Sequence, residues 1–269
     1  MIRTPYGKQI LIDGGGTLSF RKKGEEWKDR KDPYEVGKKL LVPLLKKRGV
    51  HHIDLLILSH EDADHSGGLQ AVAKQIPISN FLFNGTYKPN KGIKELFETA
   101  EQLHIPLLAA TATAPVRIDP LTTLQIIYPS EKKSSQVRIE EDQNERSIVC
   151  ILDMDGTRWL FTGDMESGAE RSLLNNDLTL TANNKQRPVD VLKVAHHGSK
   201  TSTTQEWLDY WKPRIAVISV GAMNSYGHPS PSVVDRLEQN KIQLFRTDLL
   251  GEIQMEVHNH QLYSRTKLE

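Results

Sequence analysis

Apolar residues recur along the chain in short β-branched runs bounded by turn-forming residues, and between several of these runs they fall at helical spacing. Strands are expected at residues 9–12, 53–58, 80–83, 121–127, 147–153, 157–162, 189–195, 215–220, 242–246 and 252–257. Asp155-Gly156 reads as a hairpin turn between two of them. Over residues 34–48, Val36, Leu40, Leu41, Leu44 and Leu45 share one helical face, with Pro43 expected to kink the helix and Gly49 to cap it. Further helices are expected after Gly67-Gly68, over 166–174 and around 233–237, and residues 175–188 read as a loop rich in Asn, Thr and Gln. The alternation predicts an α/β layered fold. With no internal repeat or interdomain linker, it predicts a single domain over 1–269. Pro5-Tyr6-Gly7-Lys8 is a turn signal after a run of only three residues, as if the chain opened inside a hairpin whose upstream strand had been cut away. Leu268-Glu269 resembles an expression scar.

Composition narrows the class. One cysteine in 269 residues excludes a disulfide-stapled scaffold, and 38% hydrophobic residues suit a globular core. Cys150, inside Ser-Ile-Val-Cys-Ile-Leu, reads as a small buried hydrophobe. No apolar run approaches the roughly 18–20 residues of a membrane span, and the first residues lack the apolar stretch of a secretory signal. A net charge of +1 offers no global argument for a polyanionic partner. Its distribution does: residues 21–48 hold eleven Lys or Arg against five Asp or Glu, leaving 24 basic against 29 acidic residues elsewhere. In that stretch Lys22, Lys23 and Lys28 could track a phosphate backbone and Trp27 could stack a base or anchor the loop.

Five of the ten histidines, His60, His65, His196, His197 and His228, fall at predicted strand-to-loop junctions near glycine. In His60-Glu61-Asp62-Ala63-Asp64-His65, imidazoles and carboxylates alternate, a donor mixture suited to zinc, manganese or iron and unlike the all-oxygen shell of calcium. One loop cannot complete two metal shells. Asp164, after Thr162-Gly163 at a strand end, offers a carboxylate able to bridge two cations. The adjacent His196 and His197 point to different sides, so one can ligate while the other faces substrate. Gly227-His228-Pro229 reads either as a site histidine or as a turn.

Asp13-Gly14-Gly15, the His60–Gly68 segment, Thr162-Gly163-Asp164, His196-His197-Gly198-Ser199 and Tyr226-Gly227-His228-Pro229, in that order, resemble the metallo-β-lactamase superfamily. Within it they are most similar to the C-terminal, nuclease-type domain of the ComEC competence proteins. The resemblance implies a four-layer αββα sandwich, here without the family's first strand, carrying a dinuclear site at one edge. It implies two divalent ions, zinc or manganese: one held by His60, Asp62 and Asp164, the other by Asp64, His65, Asp164 and His196. Asp13 would orient a ligating histidine, while Asp64, His197 and His228 would serve the reaction. The implied activity is hydrolysis of DNA phosphodiesters by a metal-activated water during competence DNA uptake. The implied setting is the extracytoplasmic face of the membrane, within a larger membrane-embedded protein.

Two departures from the family pattern bear on this. Asp62 stands where the first motif usually carries a second histidine, and between His65 and Asp164 the only histidine is His104, outside any motif. Asn144-Glu145-Arg146-Ser147 occupies the region where the missing ligand would fall. Two other functions therefore stay open: a stand-alone hydrolase of small esters or phosphodiesters, and a non-catalytic DNA-binding or assembly module with an incomplete metal site.

Overall fold

The structure, a computed structural model, describes residues 1–16, 35–112, 114–130, 137–175 and 187–268. The basic stretch with Lys22, Lys23, Trp27 and Lys28, and most of the loop expected over 175–188, lie outside the described residues. Tertiary contacts divide the chain into two compact units. The first comprises Met1–Arg3, Lys8–Ala109 and Gln136–Gln143; the second comprises Thr4–Gly7, Ala110–Ser135 and Asn144–Glu269.

The first unit is built on five strands in the order β1 (Ile2–Arg3), β2 (Gln9–Ile12), β3 (Leu55–Ile57), β4 (Phe81–Phe83) and β6 (Leu107–Ala109). β1 runs antiparallel to β2 and all other neighbours are parallel. Leu11, Leu56, Leu58, Phe81 and Phe83 form one buried face. Against it pack Val42 and Leu45 of α1 (Val42–Lys47), Leu69 and Val72 of α3 (Leu69–Gln75), and Ile93 and Leu96 of α4 (Lys91–Gln102). Ile10 and Ile57 alternate with these residues and are fully buried too, which is why the strands read as continuous apolar runs. The helix expected over 34–48 is not uniform: residues Gly37–Leu41 are π-helical and lead into α1, with Pro43 in its first turn. Proline has no N–H to return to the preceding turn, so the wider i→i+5 spacing ends where it enters.

The second unit carries seven strands in the order β14 (Gln243–Arg246), β13 (Ile215–Ile218), β12 (Val191–Lys193), β11 (Thr157–Phe161), β10 (Val149–Met154), β8 (Thr122–Tyr128) and β7 (Val116–Asp119). β11 to β14 are parallel, and β7, β8, β10 and β11 antiparallel, with Asp155-Gly156 closing the predicted hairpin. Its core joins Ile151, Leu160, Leu192 and Ile218 to Leu173, Trp207, Trp211, Val233 and Leu237 from three helices, α5 (Ser167–Asn175), α6 (Gln205–Trp211) and α7 (Pro231–Gln239). The strand expected over 252–257 is observed at Ile253–His258 and pairs with Gln261–Thr266, a partner whose polar, exposed sequence gave no apolar signal.

α5 and α6 are tied by a buried carboxylate. Glu170 accepts hydrogen bonds from the Thr203 and Thr204 amides and from the Thr204 hydroxyl. Thr204 in turn caps α6 through the Trp207 amide. Glu170→Ala leaves those buried donors without an acceptor, a loss of about 2–4 kcal/mol, which for a chain of this size lowers the thermal midpoint by roughly 5–15 °C. Calorimetry checks this, and an unchanged midpoint would contradict the assigned role.

Candidate metal centre

In both units the candidate side chains sit just beyond the carboxyl ends of neighbouring parallel strands, where α/β sheets place ligands. In the first unit Asp13 follows β2, and Ser59 and His60 follow β3. Register brings them side by side: Ile12 pairs with Ile57, and the Asp13 amide donates to the Ile57 carbonyl at 2.9 Å. The Asp13 carboxylate accepts the Ser59 amide on Oδ1 and both the Ser59 hydroxyl and His65 Nδ1 on Oδ2, each at 2.8 Å. Burial alone would raise its pKa. The neighbouring His65 and its hydrogen bond, the Ser59 amide and nearby His60 outweigh that and hold it below the usual carboxylate range.

This network orients both imidazoles. The Ser59 hydroxyl donates to Asp13, so at 3.1 Å from His60 Nδ1 it accepts the ring N–H. Both His60 and His65 thus use Nδ1 as donor and present Nε2 as the lone-pair nitrogen. Their rings lie 4.0 Å apart, centroid to centroid. Asp64 Oδ2 lies 4.0 Å from His65 Nε2, and Asp62 Oδ2 lies 3.8 Å from His60 Nε2. The loop can approach so closely because Gly16 has no Cβ: one built there would fall 1.8 Å from the Ala63 carbonyl oxygen.

Two participants were not singled out from the sequence. Lys88, just after Thr86–Tyr87, places its Nζ 2.6 Å from Asp62 Oδ1, and its amide donates to Glu61 Oε2. Glu61 is fully buried. No spacing rule links residues 61 and 88, so only the fold could reveal the pair. His104 ends α4 as an exposed residue with positive φ, its amide on the Glu101 carbonyl, a helix-terminating role.

In the second unit Asp164 follows β11, the tandem histidines follow β12, and Ser219 follows β13. Asp164 is buried and its amide donates to Ser147 Oγ at 3.0 Å, so the segment lacking the family's histidine supplies a hydroxyl beneath Asp164. His196, His197 and Gly198 are all left-handed, with φ of 46°, 52° and 81°. Gly198 is required twice over, because a Cβ there would also fall 2.7 Å from Pro229 Cβ. His197 Nδ1 donates to the Ser219 carbonyl at 2.6 Å, and its Nε2 lies 3.4 Å from Asp164 Oδ2. His196 is placed differently: its Nδ1 lies 3.1 Å from Glu166 Oε1 without hydrogen-bond geometry, and its Nε2 3.9 Å from Asp164 Oδ2. His228 stacks on Tyr226 and meets the His196 ring edge-on at 5.6 Å. Burial, then the charges of His196 and His197, lower its pKa against the pull of Asp164.

Glu61 gives a pH signature. Burial first, and then Asp62, push its pKa up to about 7 against the opposing pull of Lys88. Because the folded value exceeds the unfolded one of about 4.3, the stability Glu61 contributes is complete below that value and is lost as pH rises through about 7. Glu61→Gln should therefore raise the thermal midpoint of the chelated protein at pH 8 more than at pH 5. Parallel midpoint–pH curves for the two proteins would refute this.

The comparisons with known proteins agree with this geometry. The family model described as the metallo-beta-lactamase superfamily matches residues 1–222. ComE operon protein 3 of Bacillus subtilis is 30% identical over 251 residues, covering 93% of this chain and 30% of that protein. Competence protein ComA of Neisseria gonorrhoeae is 35% identical over 214 residues, covering 80% of this chain and 27% of that protein. The chain thus spans less than a third of either relative. A solved CmlA beta-hydroxylase shares the fold at a TM-score of 0.51 and 10% identity, over 98% of this chain and 51% of that one. Ordered motifs at strand ends, histidines oriented through Nδ1 and a family match over most of its length agree: this chain belongs to the metallo-beta-lactamase superfamily, most of whose members are metal-dependent hydrolases.

Proposed function

We propose that this domain is a metal-dependent phosphodiesterase acting on DNA within a larger competence protein, at the extracytoplasmic face of the membrane. The relatives named for competence carry the choice of substrate, because hydrolysis of a carbonyl and of a phosphodiester would use the same donors. No described helix is long and apolar enough to cross a membrane.

The observation that carries the metal reading is the common fixing of Nδ1 in His65 and His197, by Asp13 in one unit and by the Ser219 carbonyl in the other. A ligating imidazole is characteristically held in this way. Asp64 and His65 in the first unit, and Asp164 and His197 in the second, offer imidazole nitrogen and carboxylate oxygen, a donor mixture that fits zinc or manganese. When bound, such a cation activates water for attack and stabilises the charge that develops on the scissile group. In this reading His197 ligates and His196, turned towards Glu166, faces the substrate. His228, its pKa lowered by burial and then by His196 and His197, donates a ring N–H to a phosphoryl oxygen. Asp13 acts through His65 and touches no substrate. The basic stretch with Lys22, Lys23, Trp27 and Lys28 supplies contacts along the DNA backbone, which makes binding salt-dependent.

A panel of single-stranded DNA, duplex DNA, bis-p-nitrophenyl phosphate and nitrocefin, each with manganese or zinc, tests the substrate class. DNA cleavage that is lost on chelation is expected, and turnover of nitrocefin without DNA would overturn the proposal. Asp13→Ala should weaken metal binding by about 10–100-fold. By titration calorimetry His197→Ala should abolish that binding and His196→Ala should retain it; the reverse pattern would exchange the two roles. One metal per chain with DNA binding but no turnover would favour the non-catalytic module.

A further inference from the structure

We propose that the Lys88 ammonium takes the charge position of the superfamily's first metal ion, so that this domain binds one divalent cation per chain. The inference rests on the metal reading above and specifies its stoichiometry.

Three observations within the first unit carry it. First, the ligand set expected around His60 is already paired with a cation. Asp62, which stands where the family pattern places a histidine, has Lys88 Nζ 2.6 Å from Oδ1. A carboxylate so neutralised brings no net charge to a second ion, and a divalent cation on its other oxygen would lie beside the ammonium. Neutral His60 then remains as the other donor of this unit at that position, and a single imidazole holds a divalent cation poorly.

Second, Lys88 is delivered by a built structure. Its own amide is bound by buried Glu61. The two residues before it belong to β5 (Thr86–Tyr87), which pairs with β9 (Arg138–Ile139). Thr86 and Asn84 are buried and share the Gln143 side chain: Asn84 Nδ2 and Thr86 Oγ1 both donate to Gln143 Oε1 at 2.7 Å, while the Thr86 amide donates to Asn84 Oδ1. A satisfied buried network of this kind holds the following residue in place. An ammonium positioned by a surface loop would sample many rotamers; this one emerges from an anchored strand end, with its side chain about one-quarter exposed.

Third, the arrangement accounts for both departures from the family pattern. A lysine at this position makes a carboxylate the complementary partner at residue 62, since two imidazoles beside an ammonium would leave it without a counter-ion. It also removes the need for the absent third-motif histidine, whose region instead supplies Ser147 to the Asp164 amide.

Manganese titration followed by native mass spectrometry and electron paramagnetic resonance tests the inference. The wild type should saturate at one equivalent, with the six-line spectrum of an isolated ion. Lys88→Met should take up a second, weaker equivalent with a spin-coupled spectrum, whereas Lys88→Arg, which keeps the charge, should stay at one. Should Lys88→Met fail to fold, Asp62→Asn decides: it should keep the single equivalent with an affinity within about threefold of wild type, while loss of an equivalent on this substitution would overturn the inference. Two equivalents in the wild type overturn it and leave the metal reading intact. No bound manganese in the wild type overturns the metal reading and the inference together.

Discussion

The first unit depends on one partly buried carboxylate, Asp13. Asp13 is only partly exposed, and three donors converge on it, the Ser59 amide, the Ser59 hydroxyl and His65 Nδ1. Removing an ionised carboxylate from water costs far more than an ordinary hydrogen bond returns, unless its oxygens are well occupied. Here the requirement becomes a positional constraint. It fixes the end of β2 against the end of β3 and pulls back the short helix Ala63–Ser66 that carries His65. Through the Ser59 hydroxyl it also sets the tautomer of His60. The glycines after Asp13 serve the same arrangement, since a side chain at Gly16 would collide with the carbonyl of Ala63.

The second unit reaches a similar end by backbone strain. Consecutive left-handed residues are costly for anything but glycine, yet His196 and His197 both adopt that conformation. The surrounding hydrogen bonds over-determine it. The His196 amide donates to the Gly163 carbonyl, the Ser199 amide to the His196 carbonyl and the Ser230 amide to the Gly198 carbonyl. Three motifs far apart in sequence are thereby drawn together: Thr-Gly-Asp through Gly163, the tandem histidines, and Gly-His-Pro through the contact of Gly198 with Pro229. The tight turn throws the two rings to different neighbours, His197 to the Ser219 carbonyl and His196 to Glu166.

Charge reads differently once placed in space. A chain of net +1 looks electrostatically plain, but three acidic residues at the strand ends of the first unit are answered locally: Asp13 by an imidazole and a serine, Asp62 by an ammonium, Glu61 by the amide of the same lysine. Glu61, though adjacent to candidate ligands, is so deeply buried that protonation near neutrality is its cheapest state.

The sequence by itself determined the α/β class, the main strands of both sheets and the ordered motifs that place the chain in its superfamily, because each is local: an apolar run, a glycine after a carboxylate, a pair of histidines. Whole elements with exposed faces were less legible, as at Gln261–Thr266, which leaves no hydrophobic period to read. Which nitrogen of each imidazole faces outward, which of the tandem histidines a carbonyl orients, and that Lys88 answers Asp62 were decided by tertiary structure alone. The reason is physical: parallel strand register and the accommodation of buried polar groups bring residue 13 to 65, 197 to 219 and 62 to 88, and no local spacing encodes such meetings.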